Sequence, residues 1–149
     1  MKIAIGCDHG GFAYKKELVA HLNKKGYEVE DFGCFSEDSC DYPDYALPVA
    51  EAVKDGKADF GILICSTGIG ISIAANKVKG IRCAHVHDVE SARLTRNHNN
   101  ANILAFGAKI ISEELMFEIT DTFLTSTFDG GRHQRRVDKI TAIENKYFK

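Results

Sequence analysis

Apolar residues along this chain fall into short runs, and between the runs they recur at helical spacing. Lys2 to Cys7 is an apolar run of strand length. Past Asp8-His9-Gly10-Gly11, the positions Phe12, Leu18, Val19 and Leu22 recur at helical spacing until Gly26 stops them. Tyr27 to Phe32 reads as a second strand, followed by a loop over Gly33 to Asp44 that is rich in Asp and Ser and carries Pro43. A helix over about Tyr45 to Lys54 ends at Asp55-Gly56-Lys57. Asp59 to Cys65 is a third apolar run, a sharp turn follows, and a helical pattern leads from near Gly68 to Lys77. Gly80 to Val86 gives a fourth strand, His87 to Asn97 a helix, Ala101 to Phe106 a fifth strand and Glu113 to Leu124 another helix.

Parallel neighbours require crossover helices, and those crossovers are right-handed, so the alternation predicts an α/β fold. Its centre is a doubly wound, five-stranded parallel sheet of Rossmann-like type in a single domain over 1–149. After Asp129-Gly130-Gly131 comes one more amphipathic pattern, Val137, Ile140, Ile143 and Tyr147. The alternation is complete without it, so residues 132–149 form a C-terminal helical arm that packs either on a second subunit or on its own.

Composition narrows the class. With 149 residues and 44% apolar content the chain can bury one core. A net charge of −2 gives no overall attraction for nucleic acid or an acidic membrane, so anion binding must be local. No segment approaches the roughly 18 apolar residues of a membrane span, and the first residues enter a strand rather than a signal peptide. The expected location is cytoplasmic. Five cysteines without a C-x-x-C pair argue against a disulfide framework or a zinc ribbon. Cys7 and Cys83 are expected in the core, and Cys34 and Cys40 read as incidental loop residues.

The chemistry centres on the turn after the third strand. Open parallel sheets bind ligands at the carboxyl ends of their strands, and here that end carries Cys65, Ser66, Thr67, Gly68 and Gly70. A helix starting near Gly68 would aim unpaired N–H groups at an anion, or at an oxyanion formed during reaction. A thiol at such a helix start can act as nucleophile or base, whereas a buried structural cysteine is the plain alternative. Ser66 and Thr67 can cap the helix, and the glycines can simply shape the turn. Asp8, His9, His87, Asp88 and the segment near Lys109 belong to the same rim.

Gly68-x-Gly70 with Asp88 makes only a partial dinucleotide fingerprint, because Ile73 occupies the third glycine position. His85 and His87 alternate like a metal pair but have no third ligand at a recognisable spacing, which favours ordinary rim histidines. His98 lies in the polar stretch Arg96-Asn97-His98-Asn99-Asn100, free to exchange protons or merely exposed. Arg132 and Arg136, four apart, share a helix face and can clamp a phosphate or form a solvated basic face, with His133 and Arg135 adding charge.

Four stretches together are similar to a known family: Gly6-Cys7-Asp8-His9-Gly10-Gly11, the segment from Cys65 to Lys77, Asn97-His98-Asn99-Asn100-Ala101-Asn102, and Arg132 with Arg136. The chain resembles the type B ribose-5-phosphate isomerases, whose wider family includes galactose-6-phosphate isomerase subunits. The resemblance implies an aldose–ketose isomerisation of a sugar phosphate, without metal or other cofactor, in a homodimer or tetramer whose sites lie between subunits. By resemblance, Cys65 is the base that moves a proton between carbons 1 and 2, and Thr67 handles the hydroxyl proton. The backbone of Ser66, Thr67, Gly68, Ile69 and Gly70 holds the enediolate oxygen. His98 is the ring-opening acid with Asp8 assisting, His9, Arg132 and Arg136 are phosphate ligands, and Asn99 contacts a sugar hydroxyl.

Two departures from the pattern stand out. Ser66 replaces a Gly of many relatives, and Lys109 replaces an Arg that binds phosphate in some. Another branch of the family uses a Glu further along the turn. Here that region reads Ile71-Ser72-Ile73, which leaves Cys65 as the acid–base group of the turn. A six-carbon substrate such as allose 6-phosphate or galactose 6-phosphate, or a non-catalytic sugar-phosphate-binding module, are the competing readings.

Overall fold

Strand-forming runs become strands wherever helices can cover them on both sides. In the computed structural model, which describes residues 1–149, β1 (Lys2–Cys7), β2 (Glu28–Asp31), β3 (Phe60–Cys65), β4 (Cys83–His85) and β5 (Ile103–Gly107) form one fully parallel sheet. Its order is β2-β1-β3-β5-β4. Successive residues of a strand point to opposite faces, so the central strands supply two cores. Ile3, Ile5, Cys7, Ile62, Ile64, Leu104 and Phe106 pack against α1 (Phe12–Lys24), α4 (Val89–Asn97) and α5 (Glu113–Thr125). Ala4, Leu63, Cys65, Ile103 and Ala105 pack against α2 (Pro43–Lys54) and α3 (Ile69–Ala75). Each fully buried Ile or Leu contributes about 1.5–3 kcal/mol.

The differences from the sequence reading have local causes. α2 begins at Pro43 rather than Tyr45, because a proline suits the first helical turn, where its missing N–H is not needed. α4 begins at Val89, not His87, and Asp88 caps it by accepting from Ser91 N–H at 2.6 Å. β4 is three residues long rather than seven. Side chains intercept its backbone: Arg82 N–H donates to Asn102 Oδ1 (2.8 Å), and Asn76 both accepts from Cys83 N–H (2.8 Å) and donates to Cys83 O (2.9 Å). The same use of Asn76 ends α3 before Lys77. Cys83, expected in the core, is therefore only half-buried on an edge strand.

Cys34 corrects the sequence reading in the opposite direction. It is buried, its sulfur 3.8 Å from that of Cys7. Lys15 holds the region together: its ammonium is fully buried, sits 2.7 Å from Asp31 Oδ1, donates to Cys34 O and lies over the Phe35 ring at 4.6 Å. A buried cation is tolerable only with such a set of partners. They anchor the loop after β2, which returns to the carboxyl rim of the sheet.

The arm forms as α6 (Arg132–Tyr147). Only its Val137 is buried, whereas Ile140, Ile143 and Tyr147 are largely exposed. It is tied to the body by Asp129 N–H on Asn97 O (3.0 Å) and by Gly80 N–H on Glu144 Oε1 (2.7 Å). Between α6 and the β4 edge runs an apolar groove of about 560 Å³ that includes Ile81, Cys83, Ile140 and Ile143. No helix is long and apolar enough to cross a membrane.

Candidate active site

The loops at the carboxyl rim converge on one turn. β3 ends at Cys65, and α3 starts at Ile69 with Gly68 as its cap, at φ 81°. A side chain at Gly68 would meet the Phe106 carbonyl carbon at 2.6 Å and the His85 ring at 2.8 Å, so both conformation and space require glycine there. His85 Nε2 lies 2.8 Å from Thr67 O, which makes this histidine a brace for the turn rather than one of a metal pair with His87. Thr67 Oγ1 accepts from Ile69 N–H at 3.2 Å, the capping role open to it from sequence. Ala108 N–H and Lys109 N–H donate to Cys65 O and Ser66 O, both at 2.9 Å, and stitch the turn to the end of β5.

Cys65 is 5% exposed, packed on one side against the α2 and α3 core. On its other side the sulfur accepts Gly68 N–H at 3.1 Å. That contact leaves the sulfur as an acceptor at the start of α3. Ser66 is accommodated because Gly10, directly against its Oγ, has no side chain.

Asp8 and His9 flank the turn. Asp8, 7% exposed, accepts Gly10 N–H (2.9 Å) and Gly11 N–H (3.2 Å) through Oδ1, which leaves Oδ2 outside this pairing. His9 Nδ1 accepts Cys40 N–H at 3.2 Å, so in the neutral ring the proton sits on Nε2, the donor an anion needs. Cys40 Sγ lies 3.9 Å from the same nitrogen, so Cys40 is no incidental loop residue. Tyr42 also belongs to this wall: a side chain at Gly70 would meet its ring at 2.6 Å. Sequence reasoning passed over Cys40 and Tyr42, since only the folded return of the loop brings them to the rim.

The remaining candidate residues stand at the opposite rim of the same chain. α4 runs antiparallel to the strands and carries His98 and Asn99 to the amino end of β5, where Ala101 N–H donates to Thr95 O and Asn102 N–H to Arg82 O. Cys65 is in register with Gly107 at the far end of β5, while Gly61 pairs with Ile103 at the near end. Four steps at about 3.3 Å each separate the two rims by about 13 Å along the strand alone. His98 stacks face to face on His133, with ring centroids 4.2 Å apart and an interplanar angle of 10°. Burial, and then the neighbouring His98, Arg132 and Arg136, hold the His133 pKa below its ordinary value. Arg132 and Arg136 are exposed on the first turns of α6. Asn99 is exposed too, and its carbonyl accepts from Arg82 Nε at 3.2 Å.

A thiol that accepts a main-chain N–H beside a helix start, at the carboxyl rim of a doubly wound parallel sheet, places the candidate site where α/β enzymes of this architecture bind their ligands. The chain belongs to the Ribose/Galactose Isomerase family, whose model matches residues 3–140. It is 54% identical over 145 residues to ribose-5-phosphate isomerase B of Escherichia coli (strain K12), covering 97% of each chain. The solved ribose-5-phosphate isomerase B of Clostridium thermocellum superposes with a TM-score of 0.98 at 56% identity, over 99% of both chains. The Mycoplasma genitalium ribose-5-phosphate isomerase B, solved with bound ribulose-5-phosphate, superposes with a TM-score of 0.93 at 44% identity over 97% of both.

Proposed function

We propose that this chain interconverts ribose 5-phosphate and ribulose 5-phosphate through an enediolate, as a cytoplasmic enzyme. The observation that carries the reading is the Cys65 sulfur receiving Gly68 N–H at 3.1 Å in the turn that starts α3. A proton next to a carbonyl is weakly acidic, so its removal needs a positioned base together with donors aimed at the developing negative oxygen. Cys65 is the base, moving the proton between carbons 2 and 1, and Thr67 manages the hydroxyl proton. The backbone of Ser66 to Gly70 stabilises the enediolate oxygen. None of these steps uses a metal or an organic cofactor.

Ring opening and phosphate binding need His98, Asn99, Arg132 and Arg136, which lie at the other rim of the same chain. The chain therefore works as a homodimer, in which His98 and the arginines of one copy complete the Cys65 turn of the other. Exposed Ile140, Ile143 and Tyr147 on α6 give that assembly its apolar contact. His9 and the two arginines grip the phosphate, remote from the reacting carbons, and turn binding energy into orientation. Asp8 supports His98 in opening the furanose. Turnover of ribose 5-phosphate with and without chelator, followed with solvent deuterium, tests this. Chelator-insensitive turnover is expected, with deuterium entering carbon 1 of the ribulose 5-phosphate formed and, through the reverse reaction, carbon 2 of ribose 5-phosphate; failure to exchange at either carbon would sink the reading.

A further inference from the structure

Three side chains able to bind a metal, one at the end of α4 and two four residues apart at the start of the arm, meet at the amino rim of the sheet. The donor atoms of His98, Asp129 and His133 all lie within 4.8 Å of one another. Backbone hydrogen bonds set their positions: His98 N–H on Leu94 O (2.8 Å), Asp129 N–H on Asn97 O and His133 N–H on Gly130 O (both 3.0 Å). Three of the other four histidines have polar partners, His9 in Cys40, His21 in Asp121 and His85 in the Thr67 carbonyl, while His87 meets the His85 ring edge to face. His98 and His133 instead meet through their ring faces.

We propose that His98, Asp129 and His133 form a three-ligand site for a late first-row divalent cation, with Zn²⁺ the best fit, and that its occupation takes His98 out of ring opening. The second half rests on the reading of His98 as the ring-opening acid. Two imidazoles and one carboxylate are a donor set that suits Zn²⁺, which binds three such ligands and keeps a fourth position open. Imidazole lone pairs lie in the ring plane, so stacked rings must tilt before both can reach one ion. His133 is half-buried, in the first turn of α6 just past Gly130-Gly131, so a side-chain rotation supplies the tilt. Arg132 and Arg136 on the same turns oppose a dication, and Asp129 supplies the compensating negative charge. The metal is thus an inhibitor that competes for a side chain the reaction needs, not a cofactor.

Cobalt(II) is the probe, because its visible bands report tetrahedral coordination independently of turnover. Full-length protein is titrated with cobalt in wild-type, His133→Ala, Asp129→Asn and Cys65→Ala forms, and Zn²⁺ inhibition of the wild type, His133→Ala and Asp129→Asn is measured against each form's own uninhibited rate. The expected result is a cobalt band and EDTA-reversible inhibition in the wild type. Both should weaken by about tenfold or more in the His133 and Asp129 variants, while the band survives Cys65→Ala. A band unchanged by His133→Ala and Asp129→Asn, or abolished by Cys65→Ala, places the metal elsewhere and overturns the site. Binding that leaves turnover untouched overturns the inhibitory half. A chain that binds cobalt as expected but never turns over ribose 5-phosphate upholds the site and refutes the catalytic reading.

Discussion

The two rims of the sheet are built differently. At the carboxyl rim, Cys65 to Gly70 is fastened on every side: Gly68 N–H on the sulfur, Lys109 N–H on Ser66 O, His85 on Thr67 O, and Asp8 closing its own turn. Such a site is set by one chain's folding. At the amino rim, Arg132, Arg136 and Asn99 are exposed, and α6 leaves most of its apolar stripe uncovered. The contrast teaches that the Cys65 turn is held in place by contacts within one chain, whereas the side chains of Arg132, Arg136 and Asn99 and the apolar stripe of α6 are left open to solvent; on the proposed reading, the second group acquires its partner on assembly.

The largest expected effect comes from the fastened rim. Cys65→Ala should lower kcat by about a thousandfold or more and abolish deuterium exchange at carbon 2, with KM little changed. Exchange at the wild-type rate would remove Cys65 from the chemistry. Ending the chain after Gly131 should yield monomers with no measurable turnover, although the body still folds, because the arm contributes only Val137 to the buried core. A truncated chain that sediments as a dimer and turns over normally would erase the distinction between the rims.

Smaller effects sharpen it. Arg136→Lys keeps the charge and loses the bidentate fork, so KM for ribose 5-phosphate should rise about tenfold with kcat nearly unchanged. An equal fall in kcat would show that the guanidinium acts in the transition state and not only in binding. Gly68→Ala should lower unfolding free energy by about 1–3 kcal/mol through its left-handed backbone and the clash with Phe106, and should also reduce kcat. Calorimetry and steady-state rates read the two together. A variant with wild-type stability would mean that the turn is looser than its contacts imply.

Much of this was legible beforehand. The five strands, the helices between them and the convergence of Asp8, His9 and Cys65 to Gly70 follow from periodicity and from the rule that strand ends face one rim. Cys34 and Cys40 were misread because their neighbours are polar. Their placement comes from the buried Lys15 holding the loop after β2, a long-range contact that no local pattern announces. The shortening of β4 has the same character, since Asn76 and Asn102 reach it from outside the strand. His98 and Cys65 each sit beside a strand end in the amino-acid sequence. Only the reversal of direction through α4 shows that they occupy opposite ends, and the stacking of His98 on His133 depends on the path of the arm.

The division of one active site between two copies is tested most directly by co-expressing the two inactive variants Cys65→Ala and His98→Ala. A mixed dimer has one site with both groups and one with neither, so random pairing in equal amounts should restore about a quarter of wild-type activity. Activity no higher than that of the separate variants, in a preparation shown to contain the mixed dimer, would contradict a site shared between subunits.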